Sequence, residues 1–145
     1  MMNSRGYGHA AQAYQQVGLH SEVHEANPHQ LIRLLMEGAL SRIALARAAM
    51  GRGDTARKGQ LIGKAIDIIE GLRISLDAEQ GGELAANLEL LYAYMNRRLL
   101  EANLRNQPEP LDEVSTLLGE IKDAWDAIPL EFRQAGTDAA AVQRG

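Results

Sequence analysis

The side chains with the widest chemical repertoire in this chain are its four histidines, His9, His20, His24 and His29. His20 and His24 stand four apart, the spacing that puts two imidazoles on one helix face where they can share a metal ion. Such a site needs further ligands. The chain has no cysteine, which removes thiolate zinc sites, disulfide scaffolds and thiol catalysis together. No histidine has a glutamate three residues before it, so the pattern of di-iron bundles is absent. Solvated histidines in a polar leader are the expectation, and no metal. His29 invites comparison with a phosphotransfer histidine, but it sits in a first helical turn beside Pro28, without a long exposed face around it.

The remaining fragments carry less. Gly6-Tyr7-Gly8 is too short to cradle a phosphate and precedes no strong helix. Arg52-Gly53-Asp54 has the letters of an adhesion signal, yet it fits a helix end followed by a cap. Arg97-Arg98 is a single basic pair on a helix whose other charges balance it. No set of nucleophile, base and oxyanion donors emerges, which argues against an enzyme and against a cofactor. Fifteen Lys and Arg against nineteen Asp and Glu give a formal charge of −4. A nucleic-acid binder needs a basic face to neutralise phosphates, so the acidic balance argues against that class and no nucleic-acid partner is expected. No apolar run approaches the roughly 18–20 residues of a membrane span, and residues 1–10 lack the apolar core of a signal peptide. A cytoplasmic protein with no membrane partner is expected.

The elements that would position any site are helical. Ala, Leu, Arg, Glu and Gln dominate, and these lose little side-chain freedom in a helix. Residues 1–26 form a polar leader, with a short helical turn around 10–17. Asn27-Pro28-His29-Gln30 is a start signal: Asn caps free amides and Pro suits the first helical position. The first long helix should run from Pro28 to about Met50, ending at Gly51–Gly53. Asp54 caps a second, to about Leu76. Gly81-Gly82 breaks the chain before a third, from about Glu83 to Asn106. Pro108 and Pro110 turn it into a fourth, from about Pro110 to Ile128. Residues 129–145 are small and polar and are expected to be disordered. Short loops force antiparallel neighbours, so the fold class is all-α: an up-down four-helix bundle over 27–128 with a short N-terminal capping helix.

Two of these helices carry ordinary apolar seams. The fourth has Leu111, Val114, Leu118, Ile121, Trp125 and Ile128 at alternating three and four. The third has Leu84, Leu88, Leu91, Tyr92, Met95 and Leu99. The first differs. Ile32, Leu35, Met36, Ala39, Ile43, Ala46 and Met50 form one face, and Leu31, Leu34, Leu45 and Ala49 form a strip beside it, with Gly38 in its middle. Together they cover an arc of roughly 200°, where a one-sided helix needs about 100°. The second helix places Leu61, Ile62, Ala65, Ile66, Ile68, Ile69 and Leu72 over roughly 160° by the same count. Two uses of that excess stand open: a broad contact buried within the bundle, or an apolar groove for a partner helix.

Four stretches in order carry a resemblance. They are Ala13-Tyr14-Gln15-Gln16-Val17-Gly18-Leu19; Asn27-Pro28-His29-Gln30-Leu31-Ile32 with Glu37-Gly38-Ala39; Lys64-Ala65-Ile66-Asp67-Ile68-Ile69 leading through Leu76-Asp77 to Gly81-Gly82-Glu83-Leu84-Ala85; and Asn87-Leu88 through Leu91-Tyr92, Tyr94-Met95, Arg98-Leu99-Leu100 and Ala102-Asn103 to Asp123-Ala124-Trp125. In this order and spacing the chain resembles the flagellar secretion chaperone family FliS, over about residues 14–128. Leu35-Met36-Glu37 departs from it, because the family more often has an aromatic and an acidic residue before the glycine.

The resemblance implies a bundle that binds the disordered C-terminal segment of flagellin, blocks its premature polymerisation and supports flagellar type III secretion. The export gate and regulatory proteins enter as further partners. The partner-binding residues expected on this basis are Tyr14, Val17, Leu31, Leu34, Gly38, Leu45, Ile62, Ile66 and Ile69. Tyr14 and Val17 would occupy the groove in the free chaperone and leave it when flagellin arrives; a frayed terminus is the other reading. A second functional reading is a regulatory bundle that sequesters a transcription-control factor.

Overall fold

A computed structural model describes residues 27–76 and 78–128. They form four helices: α1, Pro28–Gly51; α2, Thr55–Ile74; α3, Ala78–Arg105; and α4, Glu109–Asp126. Among the described residues there is no strand. The expected capping helix and tail lie outside them.

Local chemistry accounts for several of the boundaries. The Asn27 side chain accepts the Gln30 amide at 2.7 Å, and Asp54 accepts that of Arg57 at 3.2 Å. Each bond satisfies one amide that has no partner within its helix. Gly53 closes the α1–α2 turn at φ 74°, a left-handed conformation that costs glycine little. Helical geometry begins earlier in α3 than Glu83, but it is interrupted at Gly82 (φ 56°, ψ −130°). A methyl group on Gly81 would lie 2.5 Å from the Ala85 side chain, so the two glycines are needed for different reasons, one for space and one for conformation. At the far end of α3, Asn106 turns left-handed at φ 53° and the Gln107 amide returns to the Ala102 carbonyl at 3.2 Å. That bond closes a Schellman stop.

Long-range contacts fix the directions. At one end His29 of α1 meets Trp125 of α4, and at the other Arg47 meets Asp112, so α1 and α4 run antiparallel. Lys58 near the start of α2 reaches the end of α3, while Arg73 near the end of α2 pairs with Glu89, so these two are antiparallel as well. Packing follows the ring α1–α2–α3–α4–α1, with α1 and α2 the most intimate pair.

The core runs down the middle: Leu35, Met36 and Ile43 from α1, Ile62, Ile68, Ile69 and Leu72 from α2, Met95 and Leu99 from α3, Leu111 and Leu118 from α4. Each such side chain contributes roughly 1.5–3 kcal/mol by leaving water. Burial also pushes the Tyr92 phenol up to about 12.

Two polar locks complete the bundle. Lys58 is buried, among the described residues without a carboxylate partner, and its ammonium donates to the Asn103 carbonyl at 3.1 Å and to the Asn106 Oδ1 at 3.0 Å. The end of a helix, where unpaired carbonyls point outward, holds a cation favourably. At the opposite end the His29 and Trp125 rings stack at 4.8 Å. There the Trp125 indole donates to the His29 carbonyl at 2.9 Å, and His29 Nε2 donates to the Trp125 carbonyl at 2.9 Å.

Candidate partner-binding surface

The nine expected contact residues part company in the structure. Leu31, Ile62 and Ile69 belong to the buried core cluster, and Gly38 is buried too. A partner reaches them only if helices separate, so they do not form the surface it meets first. Leu34 and Ile66 are half-buried and lean on the core. Leu45 is half-exposed, at 50%. Tyr14 and Val17 lie outside the described residues.

These residues also do not share one face. Glu89 and Asn103 of α3 approach Arg73 and Gly59 of α2, and Ile66 lies on that same α3-facing edge of α2 by helical phase. Leu34 and Leu45 lie on the edge of α1 away from α4, because Arg47 and His29 mark the side that faces α4. The strip therefore divides across α2.

Among the described residues, most of the exposed large apolar side chains are elsewhere, on α3. Leu90 is 71% exposed, Leu100 50% and Leu104 75%. Ala86, Leu90, Ala93, Arg97, Leu100 and Leu104 follow a spacing of four and three, which confines them to an arc of roughly 80° and a length of about 27 Å. They oppose the inner face of the same helix, where Ala85, Tyr92, Met95, Leu99 and Ala102 are buried. A row with that spacing is what a second helix packs against. Leu84, read from the sequence as part of the inner seam, is 68% exposed instead. It stands two residues after the Gly82 reversal, ahead of the first inner contact at Ala85.

Charges frame the row. The Tyr94 hydroxyl donates to Glu113 Oε2 at 2.7 Å, and Arg98 Nε donates to Glu113 Oε1 at 2.6 Å. These bonds hold the Glu113 carboxyl below its usual range and tie α3 to α4. The Arg97 guanidinium lies over the Tyr94 ring, 5.6 Å from its centre.

The whole arrangement is a closed bundle whose inner faces are sealed and whose third helix presents leucines outward. The model of the family described as "Flagellar protein FliS" matches residues 10–131. The chain belongs to the FliS family of flagellar secretion chaperones. Among FliS proteins it is similar to flagellar secretion chaperone FliSB of Pseudomonas aeruginosa, 58% identical over 82% of this chain and 94% of that one. It is 50% identical to the flagellar secretion chaperone FliS of Salmonella typhimurium, over 80% of this chain and 87% of that one. With the FliS of Vibrio cholerae the figures are 44%, 83% and 89%. Membership in FliS implies a non-enzymatic role and flagellar proteins as partners. Among the described residues, no helix is long and apolar enough to cross a membrane.

Proposed function

We propose that this protein is a cytoplasmic export chaperone that holds the disordered C-terminal segment of flagellin on its apolar surface, prevents premature polymerisation and supports flagellar type III secretion through the export gate. The observation that carries this reading is the exposed leucine row of α3, Leu90, Leu100 and Leu104. A helix-prone, disordered segment must bury apolar surface or self-associate, and coupled folding of this kind typically buries ~1,000–3,000 Å². The row offers apolar side chains in phase with a helical client, and Ile66 lies half-buried on the α3-facing edge of α2. Leu34 and Leu45 supply a second edge on α1. Tyr14 and Val17 of the leader compete for these surfaces before the client arrives.

Titration calorimetry with full-length flagellin and with flagellin lacking its C-terminal segment tests the reading. Stoichiometric binding by the first and none by the second is the expected outcome; equal binding by both would refute it. Deleting residues 1–18 tests the leader, because unchanged flagellin affinity rules out competition. The relatives' names give no support to sequestration of a transcription-control factor, and a stoichiometric partner other than flagellin in a pull-down would be needed to revive it.

A further inference from the structure

We propose that Arg97 is a specificity residue of the α3 row: the client helix that docks there carries a carboxylate at its level. The inference rests on the chaperone reading above and deepens it. Arg97 occupies one position of the row that is otherwise Ala86, Leu90, Ala93, Leu100 and Leu104, with the apolar spacing continuing on both sides of it. It is exposed, and among the described residues it makes no ion pair. Its neighbour Arg98 pairs with Glu101 and Glu113, and Arg73 with Glu70 and Glu89. Lys64 is also exposed, but it stands beside Gln60 and Asp67 on a polar edge of α2.

Arg97 is moreover held in place. Its guanidinium rests on the Tyr94 ring, and the Tyr94 hydroxyl is fastened to Glu113. A positioned cation in the middle of a leucine row stays hydrated while the row is bare. When a helix covers the row, the cation loses water and needs an anion from the partner, or docking is penalised. An acidic residue opposite Arg97 meets that need and fixes the register and direction of the client helix. A client with an apolar residue at that level slides or binds weakly, which is how one charge in an apolar seam selects among similar helices.

The test uses the full chain, flagellin, and calorimetry at low and high salt. Arg97→Glu is expected to weaken binding about tenfold or more, and Arg97→Gln roughly threefold, with a shallower salt dependence than the unmodified protein. Lys64→Glu changes the net charge as much as Arg97→Glu does and should leave affinity within about twofold. Changing the client's C-terminal acidic residues to lysine one at a time should yield one variant that restores binding to Arg97→Glu. Thermal melts keep folding separate from binding, and Arg97→Gln serves should the charge reversal unfold the chain. If Arg97→Glu binds like Lys64→Glu while Leu100→Asp loses binding, the row is the dock and Arg97 is not selective. No rescuing client residue also overturns the proposal. If Leu100→Asp binds normally as well, the row is not the dock and the chaperone reading of it falls too.

Discussion

The outer strip of α1 and the outer row of α3 look alike on paper, since each adds apolar residues beside a complete inner seam. In space they differ. On α1, Leu31, Gly38 and Ala49 are buried, Leu34 is half-buried, and Leu45 alone is half-exposed. On α3, Leu90, Leu100 and Leu104 all face outward. The cause is the neighbour. Small residues on α1, among them Ala39, Ala46 and Ala49, let α2 press closely and cover a wide arc, as close-packed interiors require. The outer row of α3 points away from both helices that contact it. A surplus of apolar arc therefore says little about exposure until the approach of the next helix is known.

The sharpest break of this contrast is in stability. Ile62 is fully buried between α2 and the rest of the core. Ile62→Ala should lower the free energy of unfolding by about 2–5 kcal/mol through lost burial and a residual cavity. Leu100→Ala, on the outer row, should change it by less than about 0.5 kcal/mol. Urea denaturation of the two variants measures both, and similar losses would erase the distinction between sealed and open faces.

The inner side of α3 offers a test by pH. Tyr92 is buried and its phenol is raised to about 12, by burial. The folded chain thus keeps the proton longer than the unfolded chain, whose phenol ionises near its ordinary value of 10.0. Between these limits the unfolded state binds fewer protons, so stability falls as pH rises. The loss attributable to this group approaches about 2–3 kcal/mol by the upper limit. Tyr92→Phe should remove that part of the alkaline slope in melts from pH 9 upward. An unchanged slope would mean that Tyr92 is more open to water than the inner face requires.

A smaller effect is expected where α1 and α4 close the bundle. Trp125→Phe keeps an aromatic ring against His29 but deletes the indole bond to the His29 carbonyl. About 1 kcal/mol of stability should go with it. Flagellin affinity should not change, since neither residue lies on the α3 row. Loss of affinity at constant stability would extend the docking surface to this end.

Much of the fold was legible because its signals are local. Asn27 and Asp54 are caps, Gly82 breaks α3, and prolines delimit α4, each through a bond or a dihedral that its residue type dictates. The inner seam of α4 reads directly from its three-four spacing. The surface was less legible. Counting apolar residues does not separate core from surface on α1 and α2, where Leu31, Ile62 and Ile69 are core. The row on α3 has an equally clear spacing, visible by counting from Ala86, but it is masked by the stronger seam through Leu88, Tyr92, Met95 and Leu99 on the same helix. The Lys58 and His29–Trp125 locks had no sequence signal, because their partners lie 45 and 96 residues away.

The smallest shift in stability and the finest discrimination come from one pair of variants, Leu90→Gln and Leu45→Gln. Glutamine keeps helix propensity and removes most of the apolar surface. Both side chains are at least half exposed in the free chain, so each change should alter stability by no more than about 0.5 kcal/mol. In the complex the two separate. Leu90 lies within the α3 row, where its burial under a client helix would add enough apolar contact that its loss weakens flagellin binding about tenfold. Leu45 has half-buried Leu34 and buried Leu31, Gly38 and Ala49 on its strip, so the α1 edge offers a client less exposed apolar surface than the α3 row. Its replacement should cost roughly threefold or less. Equal losses at both positions would mean that the client spans α1 and α3 alike and that the sealed strip opens on binding, an exchange that amide protection along α1 would register as a loss on flagellin addition.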